Sequence, residues 1–120
     1  MAPERPERRR VDAGEAATAQ LLIPPDAGRE RRFEVSVTMR VRTVPVRGAA
    51  WHQLTVLADG SRQWRRRIDS HLPEHGHASD GLEYRFERSL AAGQGLRIQA
   101  EVASSGVQRQ ALVIEAEECP

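Results

Sequence analysis

Hydrophobic residues recur at every second position from Phe33 to Arg42. Phe33, Val35, Val37, Met39 and Val41 lie on one parity, and Glu34, Ser36, Thr38, Arg40 and Arg42 on the other. Successive side chains of a strand point to opposite faces, so a period of two predicts a strand with one buried face. The stretch is long for a strand and contains neither Gly nor Pro, which predicts a central place in its sheet.

The same alternation predicts strands along the rest of the chain. Leu54, Val56 and Ala58 form an apolar face within Trp51–Ala58, and Trp64 and Ile68 form another within Arg62–Asp69. Between the two stands Asp59-Gly60, a pair favoured in tight hairpin turns because both residues tolerate positive φ. Leu82, Tyr84 and Phe86 alternate with Glu83, Arg85 and Glu87; Leu96, Ile98, Ala100 and Val102 alternate with Arg97, Gln99 and Glu101. Leu112, Ile114 and Ala116 face inward in a last strand from Gln108 to Ala116, and Ala111 and Val113 predict burial on both sides of part of it. Ala19, Leu21 and Ile23 predict a first strand ending at Pro24-Pro25, with a short helix capped by Asp12 and Glu15 as the alternative. At Thr43-Val44-Pro45-Val46 the apolar parity changes, which predicts a bulge or a crossing to a second sheet.

Residues 1–16 mix Pro3, Pro6, Glu4, Glu7 and Arg8-Arg9-Arg10 with small residues and show no apolar period. They read as a disordered charged tail ahead of a single domain over 17–118, and removal of Met1 to Arg10 is expected to leave the fold intact. About seven strands in roughly 100 residues, with turns at short intervals, predict an all-β, antiparallel two-sheet sandwich. A small β-barrel is the competing fold. The segment from Leu90 to Ala100, LAAGQGLRIQA, is similar to the corner between late strands in immunoglobulin-like and fibronectin-type sandwiches, with Leu96 where those families often place a Tyr. The resemblance implies an architecture of that kind and no particular activity.

Composition narrows the functional classes. All 18 basic residues are Arg, and Lys and Asn are absent. That bias fits a GC-rich genome and weakens Arg abundance as a sign of nucleic-acid binding. The net charge of +1 and the lack of a recognisable binding motif argue the same way. No apolar run approaches the roughly 18 residues that span a bilayer. With a single Cys119, no internal disulfide forms, and the expected location is cytoplasmic.

Ser70 to Gly81 is a polar stretch predicted to be a long loop, and it holds His71, His75 and His77 beside Glu74 and Asp80. Neutral imidazoles ligate zinc, and three of them with a water or carboxylate complete a tetrahedral site. No standard motif has this spacing, and the flanking Gly76 and Gly81 leave the loop poorly preorganised, so a solvated connector is the simpler expectation. Trp64-Arg65-Arg66-Arg67 could bind phosphates and stack a base, or it could be an edge strand guarded by its charges, the favoured reading. Asp69, Ser70 and His71 are the right types for nucleophilic catalysis, but sequence neighbours on a strand end point apart. Gly93-Gln94-Gly95 lacks the third glycine and the helix of a dinucleotide loop. No enzyme signature survives these tests.

Residues 33–69 carry seven Arg against three acids, and residues 70–120 carry four Arg against eight. Unless paired strands neutralise this asymmetry, it suits the steering of a protein partner. The sequence therefore predicts a non-enzymatic interaction or accessory module, binding a protein or a second copy through Arg40, Arg42, Arg65 and Arg67. The alternative is a metal- or anion-binding protein using the His loop and the Arg65–Arg67 hairpin.

Overall fold

The structure, a computed structural model, describes residues 6–43, 45, 48–70 and 73–120. These form eight strands and no helix: β1 Arg8–Asp12, β2 Thr18–Ile23, β3 Arg31–Thr43, β4 Trp51–Ala58, β5 Ser61–Asp69, β6 Ala78–Leu90, β7 Leu96–Ser105 and β8 Gln108–Glu118. One four-stranded sheet has the order β1-β8-β3-β6 and the other β2-β7-β4-β5, with antiparallel pairing throughout. The two sheets pack face to face as a sandwich.

The pairs β1/β8, β2/β7, β3/β6 and β4/β5 describe one long antiparallel ribbon, folded at the β4–β5 hairpin and rolled so that β8 meets β3 and β7 meets β4. This is the strand order of a jelly roll, the eight-stranded double-sheet solution to covering sheet edges. It differs from the immunoglobulin order, in which seven strands divide as ABED and CFG. The corner at residues 91–95 carries the chain from one sheet to the other. The strands it joins have a different topology.

The alternating pattern produces the expected core. Phe33, Val35, Val37, Met39 and Val41 of β3 face Leu54, Val56 and Ala58 of β4 and Ile98 and Ala100 of β7, all essentially inaccessible to solvent. β3 is central, lying between β8 and β6. The parity change after Thr43 marks a crossing between sheets, because β3 and β4 belong to different ones; Val44, Val46 and Arg47 lie outside the described residues. Two expectations are corrected. The stretch from Ser70 is a shorter connection than predicted, because Ala78–Gly81 already pair with β3. The charged tail of residues 1–16 contains a strand, since Arg8–Asp12 pair with Asp12↔Val113 through Arg8↔Glu117 on β8. Only Val11 of that strand is a large apolar residue; backbone pairing and the Arg8–Glu117 and Arg10–Glu115 ion pairs hold it, and a period-two search does not see these.

The Asp59-Gly60 hairpin has φ of 49° and 83°, positive at both positions as a type I′ turn requires. Asp59 is further tied to β7: its N–H donates to the Arg97 carbonyl at 2.8 Å and its Oδ1 accepts from the Arg97 N–H at 2.9 Å. Gly60→Val should lower stability by about 1–3 kcal/mol, the cost of holding a β-branched residue at positive φ. The denaturant midpoint measures this, and an unchanged midpoint would contradict the turn geometry.

Candidate functional site

The four arginines expected to form one partner surface lie on opposite sides of the sandwich. Arg40 and Arg42 project from the outer face of the β1-β8-β3-β6 sheet, the parity opposite to the buried Met39 and Val41. Arg65 and Arg67 project from the outer face of the other sheet, where they pair with Thr55 and Gln53 of β4. No single partner surface includes all four.

The His loop is likewise dispersed. His71 lies outside the described residues, and His75 and His77 are exposed. Arg42 Nη2 lies 3.0 Å from His77 Nδ1 and donates to it, which engages the lone pair a metal would use there. Among the described residues no group of three or more His, Cys, Asp or Glu is placed to hold a metal ion.

The fourth histidine, His52, is the one that the structure brings into a buried polar pair among the described residues. It sits on β4 at an inward position and is wholly buried. Its Nδ1 lies 2.6 Å from Ser70 Oγ, while Nε2 has no hydrogen-bond partner. Burial lowers its pKa below the ordinary value of 6.5, partly offset by the Asp80 carboxylate and the backbone of Gly81. A serine beside a neutral imidazole has the composition of an activated nucleophile. Here the imidazole is closed off inside the sandwich, and no substrate atom reaches Nε2. The pair serves instead to fasten the end of β5 to β4, alongside the Ser70 N–H bond to the Ala50 carbonyl at 2.9 Å. Nothing in the sequence around His52 distinguishes it from an ordinary strand residue, because Ser70 lies 18 residues away.

This buried imidazole predicts a pH dependence. The folded state binds its proton less readily than the unfolded state, so its contribution is present above pH 6.5 and is lost as the pH falls below that value. The melting temperature should therefore decline between about pH 7 and pH 5, and His52→Leu should flatten that slope. An unchanged slope in the variant would assign the decline to other groups.

The two sheets also treat their charges differently. On the β1-β8-β3-β6 sheet, Arg8 pairs with Glu117, Arg10 with Glu115, and Arg85 with Glu34 and Glu83. Cross-strand neutralisation operates there. On the β2-β7-β4-β5 sheet the outer face carries Arg62, Arg65, Arg67 and Arg97, and among the described residues none of these is ion-paired with a carboxylate. Arg65 Nε donates to Thr55 Oγ1 at 3.0 Å, and the Arg67 guanidinium lies 3.8 Å over the Trp51 ring. Both side chains lie back across the sheet face.

β5 and β6, each the last strand of its sheet, face one another across the open side of the sandwich. Trp64 of β5 stacks on Tyr84 of β6 with ring centroids 4.9 Å apart and planes at 11°, and Tyr84 lies 5.7 Å from Phe86. Arg88 covers Phe86 at 5.8 Å and donates to Gln63 Oε1 at 3.0 Å. Of the chain's five aromatic residues only Phe33 is fully buried; the other four are half-buried and line this side and the adjoining basic face. The spatial segregation of the few aromatics appears only when β5 and β6 are brought together.

No family model matches the chain, and no curated protein matches it. Among solved structures, dimeric latent PorU from Porphyromonas gingivalis aligns over 94% of this chain with a TM-score of 0.51 and 10% identity, and the chain spans 13% of that one. The likeness is one of fold alone. The T13 viral particle of infectious bursal disease virus and the Gx strain of that virus align with TM-scores of 0.44 and 0.42, identities of 9% and 15%, and coverage of 91% and 96% of this chain against 31% and 32% of theirs.

Proposed function

We propose that the protein is a non-enzymatic interaction module whose working surface is the β5 side: the free edge of β5, the basic outer face beside it and the half-buried aromatics beneath. The observation that carries this reading is the contrast between the sheets. Charges on the β1-β8-β3-β6 face are largely spent on each other, while those of β5 are not. Unpaired arginines over aromatic rings are the composition that interface centres favour. Arg65 and Arg67 belong to this surface; Arg40 and Arg42 do not. The lone Cys119 and the absence of Asn are compatible with a cytoplasmic setting for such a module.

A photo-crosslinking amino acid at Arg66, compared with one at Arg85 on the opposite sheet, tests this in the native host. One discrete, saturable product is expected at position 66 and none at position 85, with the product lost in Arg65→Glu, Arg67→Glu. Products only at position 85, or at neither position, would refute the assignment.

A further inference from the structure

We propose that the free edge of β5 receives an extended segment of a partner protein in which acidic and apolar residues alternate. This deepens the interaction-module reading and rests on it. β5 is nine residues long and pairs only with β4, so alternate N–H and C=O groups along its other side have no strand partner. An added strand would satisfy them, and its side chains would lie beside those of β5 on the same faces.

The two faces of β5 ask for different side chains. On the outer face an incoming strand meets Arg62, Arg65 and Arg67, none ion-paired among the described residues, with Asp69 as the one carboxylate at the strand's end. On the inner face it meets Trp64 and Ile68, and across the gap Tyr84, all partly buried against the core and incompletely covered. Carboxylates answer the first face and aliphatic groups the second. Arg66 shares the inner parity but is exposed at the rim, so it leaves the apolar strip open.

Other occupants fit less well. A second copy pairing β5 with β5 sets Arg against Arg, which is repulsive. A single-stranded nucleic acid needs open ring faces for its bases. Here Trp64 and Tyr84 stack on one another, and Arg67 covers Trp51. The β6 edge offers no comparable selectivity, because Glu83 and Arg85 are already ion-paired to each other. Arginines on an edge strand ordinarily prevent indiscriminate pairing. On β5 the same charges become a filter that admits acidic strands.

The test is fluorescence anisotropy with a labelled peptide of nine residues alternating Glu and Val, the length of β5. Three probes accompany it: a block peptide of the same composition, the alternating peptide N-methylated at every second residue, and an oligothymidylate. The alternating peptide should bind about tenfold or more tighter than any of the three, and more weakly as salt rises. Arg65→Glu, Arg67→Glu should weaken it by at least about tenfold, with Arg62→Glu as a milder second variant and circular dichroism confirming that each stays folded. Equal binding of the block peptide or the oligothymidylate would show that charge alone is read and would overturn the proposal. Undiminished binding of the N-methylated peptide, or no binding of the alternating peptide, would overturn it too. Persistent crosslinking at position 66 in that event would retain the module and remove only this occupant; loss of both would remove the module as well.

Discussion

Phe33→Ala should lower the unfolding free energy by about 3–5 kcal/mol, the range for removing a large aromatic from a packed interior. The ring is fully buried at the start of a strand flanked on both sides, opposite Arg88 on β6 and Glu118 on β8. The Arg31 guanidinium lies 5.5 Å from its centroid, so truncation also uncovers a buried cation. For a domain whose whole stability is about 5–15 kcal/mol, such a loss leaves it near its unfolding threshold. Phe86→Ala, which removes a half-buried ring from the open side, should cost only about 1–2 kcal/mol. Urea denaturation of the two variants separates them. Equal losses would mean that the β5–β6 side is as closely packed as the centre.

Deleting residues 1–12 should be nearly as damaging, at about 3–5 kcal/mol. The deletion removes β1 and with it Glu7, whose Oε1 lies 3.0 Å from Arg31 Nη1. Arg31 is an arginine with a side chain only 1% exposed, and among the described residues it would keep the Pro24 and Gln94 carbonyls as hydrogen-bond acceptors and no carboxylate. Glu118 would also change. Arg29 and the Glu7 N–H hold its carboxyl below the usual carboxylate range, so part of its contribution is present at neutral pH and lost on acidification below about pH 4.5. Without Glu7 that acid sensitivity should shrink. A melting temperature within a degree or two of the full chain would restore the view of this segment as a dispensable tail.

The contrast between these two predictions shows what the sequence could and could not disclose. β3, β4, β6 and β7 were legible because each buries one face against the other sheet, and that requirement writes a period of two into the chain. The Asp59-Gly60 turn was legible because its backbone geometry restricts the residues that can form it. β1 was hidden because its partners, Glu115 and Glu117, stand more than a hundred positions away and the strand contributes little to the core. The β5 surface was half legible. The run of arginines suggested an edge strand, but Tyr84 and Phe86 joined Trp64 only through the pairing of distant strands across the sandwich. His52 and Ser70 met for the same reason.

The rolled ribbon also constrains the order in which the chain can be completed. β8 follows the other seven strands along the chain, yet it occupies an interior place between β1 and β3, and β7 similarly lies between β2 and β4. Until both have emerged, β1 and β2 lack their partners, and β3 and β4 each present one bare edge to solvent or to a neighbouring nascent chain. Only the β4–β5 hairpin and the β3/β6 pairing can form beforehand. Synthesis thus passes through a stage in which β3 and β4, which carry much of the core, are each unpaired along one edge. The addition of β7 and β8 converts an aggregation-prone half-sandwich into a closed one.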